Sequence, residues 1–477
     1  MSCTTILVGK KASYDGSTII ARNDDGAFET KHQVVVLPTK QKKNYQSVKG
    51  HLKIELPDNP LKYTMIPSAD LKNGFWPAAG INEANVSMTA TETITSNPLV
   101  LGADPLVNYK KATKKEKEQI GGIGEEDLVC IVLPYIKSAR EGVLRVGELL
   151  EKYGTYESNG MAFADENEIW WLETIGGHHY IAVRIPDDKV VIMPNRFGLD
   201  YFDFDDAYDK QVNSICSKDL KDFAINNHLV TPMNGHINPR LAFGSHSDQD
   251  HVYNTPRSWY LYNYFKKDDN KYTPISDDIP FMLTPDNLVT IQDVKYVLSS
   301  YYQNTIYNPY AKYQESGMYR SIGVPNSDDS AILQIRGYKE DKLKAVEWLS
   351  LGGSAFTASF PLYTNVTKFP DYISKGSKEV STDDFYWHSR LIAALTDAHF
   401  SNNVIHTERY QNTVFNKGQE LLNQYDKKVE ESKDYKLLEE ANEKLCKMVK
   451  EESSKTLGNV LAEASAHMKT KYYRQDN

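Results

Sequence analysis

The first hundred residues alternate between short apolar, β-branched runs and turn signals. Residues 4–8 read Thr-Thr-Ile-Leu-Val, Tyr14-Asp15-Gly16 is a turn, residues 17–21 return as Ser-Thr-Ile-Ile-Ala, and residues 32–36 end in Val-Val-Val. This pattern predicts strand, turn, strand, turn, strand, the antiparallel start of a sheet. The second strand runs directly into Arg22-Asn23-Asp24-Asp25, so a hairpin carries strong polar groups back beside Cys3. Residues 40–75 are Lys-rich, then irregular with several prolines, and read as a surface excursion. Strands follow at 80–83 and 86–93, the latter with the strict alternation of a half-buried strand.

Glu125-Glu126-Asp127 then sets carboxylates at the positive end of a helix, and apolar spacing predicts helix over 128–139 and 144–153. Strands resume at 160–164, 169–174, 179–185 and 190–193. Between 200 and 310 short helical pieces mix with loops, and Thr255-Pro256 reads as the cap and first position of a helix. Further strands are predicted at 330–336, 345–349 and 355–362, and helix from about 384 onward. In that tail Leu438, Ala441, Leu445 and Met448 make an apolar stripe flanked by Lys and Glu, which predicts a helix packed on its own domain. The organisation predicted is α+β, with one large domain over 1–385 and a helical extension over 386–477 packing on it.

Composition agrees and narrows the function classes. A chain of 477 residues, 40% hydrophobic and 25% charged, can bury a large core. Its formal net charge of −9 gives no general attraction to nucleic acid or an anionic membrane surface. Cys3, Cys130, Cys216 and Cys446 form no CxxC pair, which points away from a zinc knuckle or disulfide framework and toward a reducing compartment. The first residues lack a positive segment followed by an apolar stretch, and no run approaches the roughly 18 apolar residues of a bilayer span. The expected location is cytoplasmic.

The candidate chemistry centres on Cys3. A thiolate is a strong nucleophile, but the unperturbed thiol pKa is about 8.5, and a free α-amine with a pKa of about 7.7 to 8.0 is a suitable proton acceptor beside it. A residue carrying both groups needs no histidine, provided the cysteine is first in the mature chain. The sequence begins Met1-Ser2-Cys3. Removal of Met1 leaves Ser2, so either Ser2 also departs, for example through attack of the Cys3 sulfur on its carbonyl, or Ser2 is itself the terminal nucleophile. Cys3 is the preferred candidate.

Several further segments accompany it: Asp15-Gly16-Ser17, Ala21-Arg22-Asn23-Asp24-Asp25, Gly80-Ile81-Asn82-Glu83, Phe163-Ala164-Asp165, Trp171-Leu172-Glu173, Pro194-Asn195-Arg196-Phe197 and Asn254-Thr255-Pro256-Arg257. In this order, behind Cys3-Thr4-Thr5-Ile6-Leu7-Val8-Gly9, the chain resembles the N-terminal-nucleophile (Ntn) hydrolases. The likeness is to the cysteine dipeptidases of the dipeptidase A type, relatives of penicillin V acylase and bile salt hydrolase. The resemblance implies a four-layer αββα sandwich and hydrolysis of dipeptides through a thioester on Cys3. It implies that Arg22 favours the thiolate, that Asp25 holds the terminal amine, that Asn195 helps bind the oxyanion, and that Arg257 is a second arginine of the pocket. Where the acylase relatives carry another oxyanion-binding asparagine, this chain has Glu92, next to Thr91. A carboxylate there suits the free ammonium of a dipeptide, and Thr91 and Asn82 join it as candidate substrate contacts.

The resemblance calls for no cofactor and no metal, and for a small peptide as partner; it leaves room for a homo-oligomer. Two alternatives share the cleft: an amidase acting on non-peptide amides, and a catalytically silent peptide-binding protein. Competing constellations are weaker. His246, Asp248, Asp250 and His251 crowd one loop without HExxH spacing, Gly121-Gly122-Ile123-Gly124 lacks the Lys-Ser/Thr of a phosphate loop, and no Gly-x-Ser-x-Gly elbow occurs.

Overall fold

The computed structural model describes residues 3–26, 29–230, 236–267 and 271–468. Met1, Ser2 and the last nine residues of the predicted helical tail lie outside them. Among the described residues thirteen strands build two large antiparallel sheets, seven in one and six in the other. In chain order they are β1 (Thr4–Val8), β2 (Thr18–Asp24), β3 (Ala79–Ile81), β4 (Ser87–Thr93), β5 (Asn159–Ala164), β6 (Ile169–Ile175), β7 (His179–Ile185), β8 (Val190–Met193), β9 (Ser214–Cys216), β10 (Met282–Leu283), β11 (Asp329–Ile335), β12 (Ala345–Leu351) and β13 (Phe360–Tyr363). The first sheet runs β10-β8-β1-β2-β11-β12-β13 and the second β9-β7-β6-β5-β4-β3.

β1 sits inside the first sheet, pairing Thr5 with Arg22 of β2 on one side and with Met193 of β8 on the other. All of its residues are buried, which is why its sequence is a continuous apolar and β-branched run. The two sheets meet face to face through β2 and β11 of the first and β3, β4 and β5 of the second. Across this interface Thr18 Oγ1 donates to the Asp165 carbonyl at 2.7 Å. Helices cover the outer faces: α1 (Glu125–Val132) and α2 (Ala139–Tyr153) on the second sheet, α3 (Thr255–Phe265) and α4 (Ile291–Leu298) on the first. α5 (Phe385–Ala398), α6 (Phe400–Ser432) and α7 (Leu437–Ala466) form the tail against β12 and β13.

Several boundaries differ from the sequence reading. The third predicted strand does not extend the opening hairpin; Val34–Val36 pairs instead with Tyr63–Met65 in a separate ribbon. β4 alternates in sequence yet is buried along nearly its whole length, because α1 covers the face that alternation assigns to solvent. The helix predicted over 128–139 stops at Val132: Pro134 has no N–H to continue it, and α2 starts afresh behind Ser138, whose hydroxyl accepts the Glu141 N–H at 3.2 Å. Of the strand predicted at 355–362 only Phe360–Tyr363 forms. The cap of α3 is Asn254, one residue before the expected Thr255. Leu438, Ala441 and Leu445 of the tail stripe are buried and Met448 is partly so. No helix among the described residues is long and apolar enough to cross a membrane.

Candidate active site at the start of the first strand

Cys3 immediately precedes β1, so the β1–β2 pairing places it beside the polar end of β2, across from Asp24. Its side chain is buried between the sheets, 1% exposed. Arg22 Nη2 lies 3.0 Å from Cys3 Sγ, and Asp24 Oδ1 lies 3.8 Å from it. The same Arg22 nitrogen donates to Asp24 Oδ1 at 3.2 Å and to Glu125 Oε1 at 2.8 Å, while Nη1 reaches the carbonyls of Ala78 and Ala90 across the interface. Arg22 is thus a buried cation fixed by both sheets and by the first residue of α1.

These charges work against one another at the sulfur. Burial pushes the Cys3 thiol well above its usual range; Arg22 pulls it down, and Glu92, Asp24 and Glu125 push it up again. The resemblance implied that Arg22 favours the thiolate. Arg22 does pull the thiol down, but burial outweighs it, so the group stands here as a thiol. Asp24, lifted by burial but held by Lys31 and Arg22, ends below the ordinary carboxylate range and is a weak base. Lys31 Nζ lies 3.1 Å from its other oxygen.

Arg257, fully buried on α3, brackets the other side of Cys3. Its Nη1 donates to the Cys3 carbonyl and, at 2.8 Å, to Thr4 Oγ1. Its Nη2 donates to Asn195 Oδ1 at 2.8 Å and to Asn254 Oδ1 at 2.7 Å. This fixes the Asn195 amide: Oδ1 is occupied by the guanidinium, so Nδ2 points away, giving one proton to the Thr93 carbonyl at 3.0 Å and keeping a second to donate.

Asp25 is buried and ion-paired with Arg320 through Oδ2, whereas Oδ1 has no partner among the described residues. Burial lifts its carboxyl above the ordinary value despite Arg320. Glu92 accepts the Thr5 hydroxyl at 2.7 Å through Oε2 and leaves Oε1 buried without a partner. Burial pushes its pKa to about 8 against the pull of Arg257 and Arg22. Thr91 gives its backbone N–H to Glu125 Oε1 at 3.2 Å, and its hydroxyl is a further buried, unpartnered group.

Asn82 stands apart. Its Nδ2 donates to the Leu133 and Ile136 carbonyls, both at 2.8 Å, and its Oδ1 accepts from Ala84 and Val86. It follows the end of β3 away from Ala78, so it ties a turn to the segment after α1 and brings no free group toward Cys3.

The sequence reading named Cys3, Arg22, Asp25, Asn195, Arg257, Glu92 and Thr91, and the fold gathers all seven around the start of β1. It passed over Glu125, read only as a helix-dipole carboxylate, although that side chain is the closest carboxylate to Arg22. Arg320 carried no local signal, and Thr5 and Asn254 were legible only as part of their motifs. Among the described residues, no group of three or more His, Cys, Asp or Glu side chains is placed to hold a metal ion. His251, in the loop with His246, Asp248 and Asp250, lies 3.2 Å from Asp277.

Comparison with known proteins adds the lineage of this arrangement. The model of peptidase family C69 matches residues 2–413. A dipeptidase of Bifidobacterium longum is 50% identical over 448 residues, covering 90% of this chain and 83% of that one. A probable dipeptidase A of Streptococcus pyogenes serotype M3 is 46% identical over 483 residues and the whole of both chains. Dipeptidase A of Lactobacillus helveticus is 41% identical over 481 residues, 98% of each. With the match running from before the nucleophile candidate through Arg257 and into the tail, the chain belongs to peptidase family C69.

Proposed function

We propose that this protein is a cysteine-type dipeptidase, cytoplasmic, whose nucleophile is Cys3 standing as the first residue of the mature chain. The two facing sheets with helices outside each fit a four-layer αββα Ntn sandwich, with residues 1–385 as catalytic domain and 386–477 as extension. The observation that carries the mechanism is the thiol's company. Its hydrogen-bond partners among the described residues are Arg22 and Asp24, the one a cation and the other a weak base. Neither takes a proton readily, so the acceptor is the amine of Cys3 itself, held by the open oxygen of Asp25.

In this reading the amine takes the Sγ proton as sulfur bonds to the scissile carbonyl carbon. The carbonyl oxygen becomes an oxyanion facing the spare Nδ2 proton of Asn195. Collapse breaks the C–N bond, the ammonium of Cys3 gives its proton to the leaving amine, and a thioester remains. Water then replaces sulfur at the acyl carbon, and the thiol regains its proton. Family membership and relatives named dipeptidase support the substrate class; Glu92 supplies the group for its free ammonium.

The test is intact mass before and after a thiol-directed inactivator, with dipeptide hydrolysis followed in parallel. The active species is expected to start at Cys3 and to lose activity with one adduct. A fully active chain beginning at Met1 or Ser2 overturns the terminal-amine mechanism, and hydrolysis of chromogenic amides but not dipeptides overturns the substrate class.

A further inference from the structure

The carboxylate beside the thiol is also the wall of a cavity of about 200 Å³, lined by Asp24, Glu29, Lys31, Lys49, Trp76 and Asp328 among others. Most of these charges are already engaged by the protein. Lys31 is buried, bonded to Asp24 and donating to the Trp76 carbonyl at 2.7 Å. Asp328 accepts the Glu29 N–H at 3.2 Å and the Tyr386 hydroxyl at 3.3 Å, and burial pushes its pKa to about 7. Glu29 accepts the Ser68 hydroxyl.

Lys49 is different. It is exposed, its Nζ lies 4.1 Å from the centroid of the Trp76 ring, and among the described residues it joins no salt bridge. Its position is built. Lys49 lies on the tip between strands Asn44–Gln46 and Lys53–Glu55. Ser47 Oγ donates to Glu126 Oε1 at 3.3 Å, and the Gly121 N–H donates to the Gly50 carbonyl at 2.8 Å. A Cβ on Gly50 would come within 2.4 Å of the Gly122 carbonyl, so only glycine lets the tip pack this closely. Trp76 is held at φ +50°, a region that bulky side chains avoid, with its indole N–H on the Asn73 carbonyl at 2.9 Å.

An ammonium over an aromatic face keeps its N–H groups for an anion. A dipeptide is only about 7 Å long, so a nucleophile at its scissile carbonyl lies within one residue of both charged ends. Glu92 stands on the Thr5 side of Cys3 and the cavity on the Asp24 side. We propose that Lys49, braced on Trp76, binds the α-carboxylate of the residue that leaves, making the free C-terminus a recognition element. The inference rests on the dipeptidase reading above and deepens it.

The experiment compares kcat/KM for a dipeptide and its C-terminal amide in wild type, Lys49→Met, Lys49→Arg and, as a control from the same excursion, Lys43→Met. Wild type is expected to prefer the acid by roughly tenfold or more, the worth of one charge-assisted hydrogen bond. Lys49→Met brings the ratio near one through KM, while Lys49→Arg and Lys43→Met preserve it. An undiminished preference in Lys49→Met, or none in wild type, overturns the inference and leaves the dipeptidase reading standing. A wild-type enzyme that cleaves no dipeptide overturns both.

Discussion

Arg22 Nη2 lies 3.0 Å from Cys3 Sγ, and still the sulfur is a thiol, because desolvation of the buried site outweighs the cation beside it. In the proposed mechanism the guanidinium lowers the cost of forming the thiolate once a base acts, and its two terminal nitrogens together serve the sulfur, two carboxylates and two carbonyls, while Nε has no partner among the described residues. Lysine supplies the charge but not the fork. Arg22→Lys is expected to raise the thiol pKa further and to lower kcat by about a hundredfold, the scale of a misplaced proton transfer. The rate of iodoacetamide alkylation against pH reads this directly; a profile matching wild type removes Arg22 from the activation of sulfur.

Asn195 owes its orientation to Arg257, which occupies Oδ1 and thereby turns Nδ2 toward donation. In the proposed mechanism Asn195→Ala deletes a donor that matters only when the oxyanion forms. A fall in kcat of about 10²- to 10³-fold with KM nearly constant is expected, as for other oxyanion donors. Equal losses in kcat and in thermal stability, with rescue of kcat on cooling, would show that the side chain serves the fold instead.

Local chemistry made the strands and the chain's polar motifs legible, since β-branched runs and turn residues report on a few neighbouring positions. β1, β2, β6, β7 and β8 lie within a few residues of where the pattern put them. What the sequence did not reveal depends on contacts made across the fold. Val34–Val36 reads as a third strand of the first sheet, but its partner Tyr63–Met65 is chosen by packing. Glu125 looked like a helix-dipole carboxylate because its true partner, Arg22, is 103 residues away. Asn82 belongs to a motif that accompanies the site, yet its Oδ1 is taken up by its own turn and its Nδ2 by the distant Leu133 and Ile136 carbonyls, a fact no spacing rule carries.

The tail is joined to the first sheet by a buried ion pair. Arg336, just after β11, meets Asp426 of α6 through two hydrogen bonds of 2.6 and 3.0 Å, and Tyr363 donates to the same carboxylate at 2.7 Å. Asp426→Asn leaves the Arg336 charge buried without its counter-ion, which costs about 3–5 kcal/mol. Chemical denaturation is expected to show that loss, with kcat per folded molecule preserved because no contact of Cys3 is touched. A loss below 1 kcal/mol would mean that water reaches the pair.

In the proposed mechanism Glu92 provides the pH dependence that separates substrate recognition from nucleophile activation. Burial lifts its pKa to about 8, so below that pH the free enzyme carries a neutral acid where, in the proposed mechanism, the ammonium of a dipeptide binds. A cation favours the ionised form, and KM for dipeptides is therefore expected to fall as pH rises from 6 toward 8, by up to tenfold per unit. Above 8 the substrate amine loses its own charge, near its reference value of about 7.7 to 8.0, and KM climbs again. Stability runs the other way: a carboxyl whose folded pKa is raised stabilises the fold at low pH, and that contribution is lost as pH rises toward about 8. Glu92→Gln is neutral throughout, so it should flatten the acid limb of the KM profile, hold KM near the wild-type value at pH 6, and remove this part of the stability slope. If the variant keeps the wild-type KM at pH 8, the ammonium is held elsewhere.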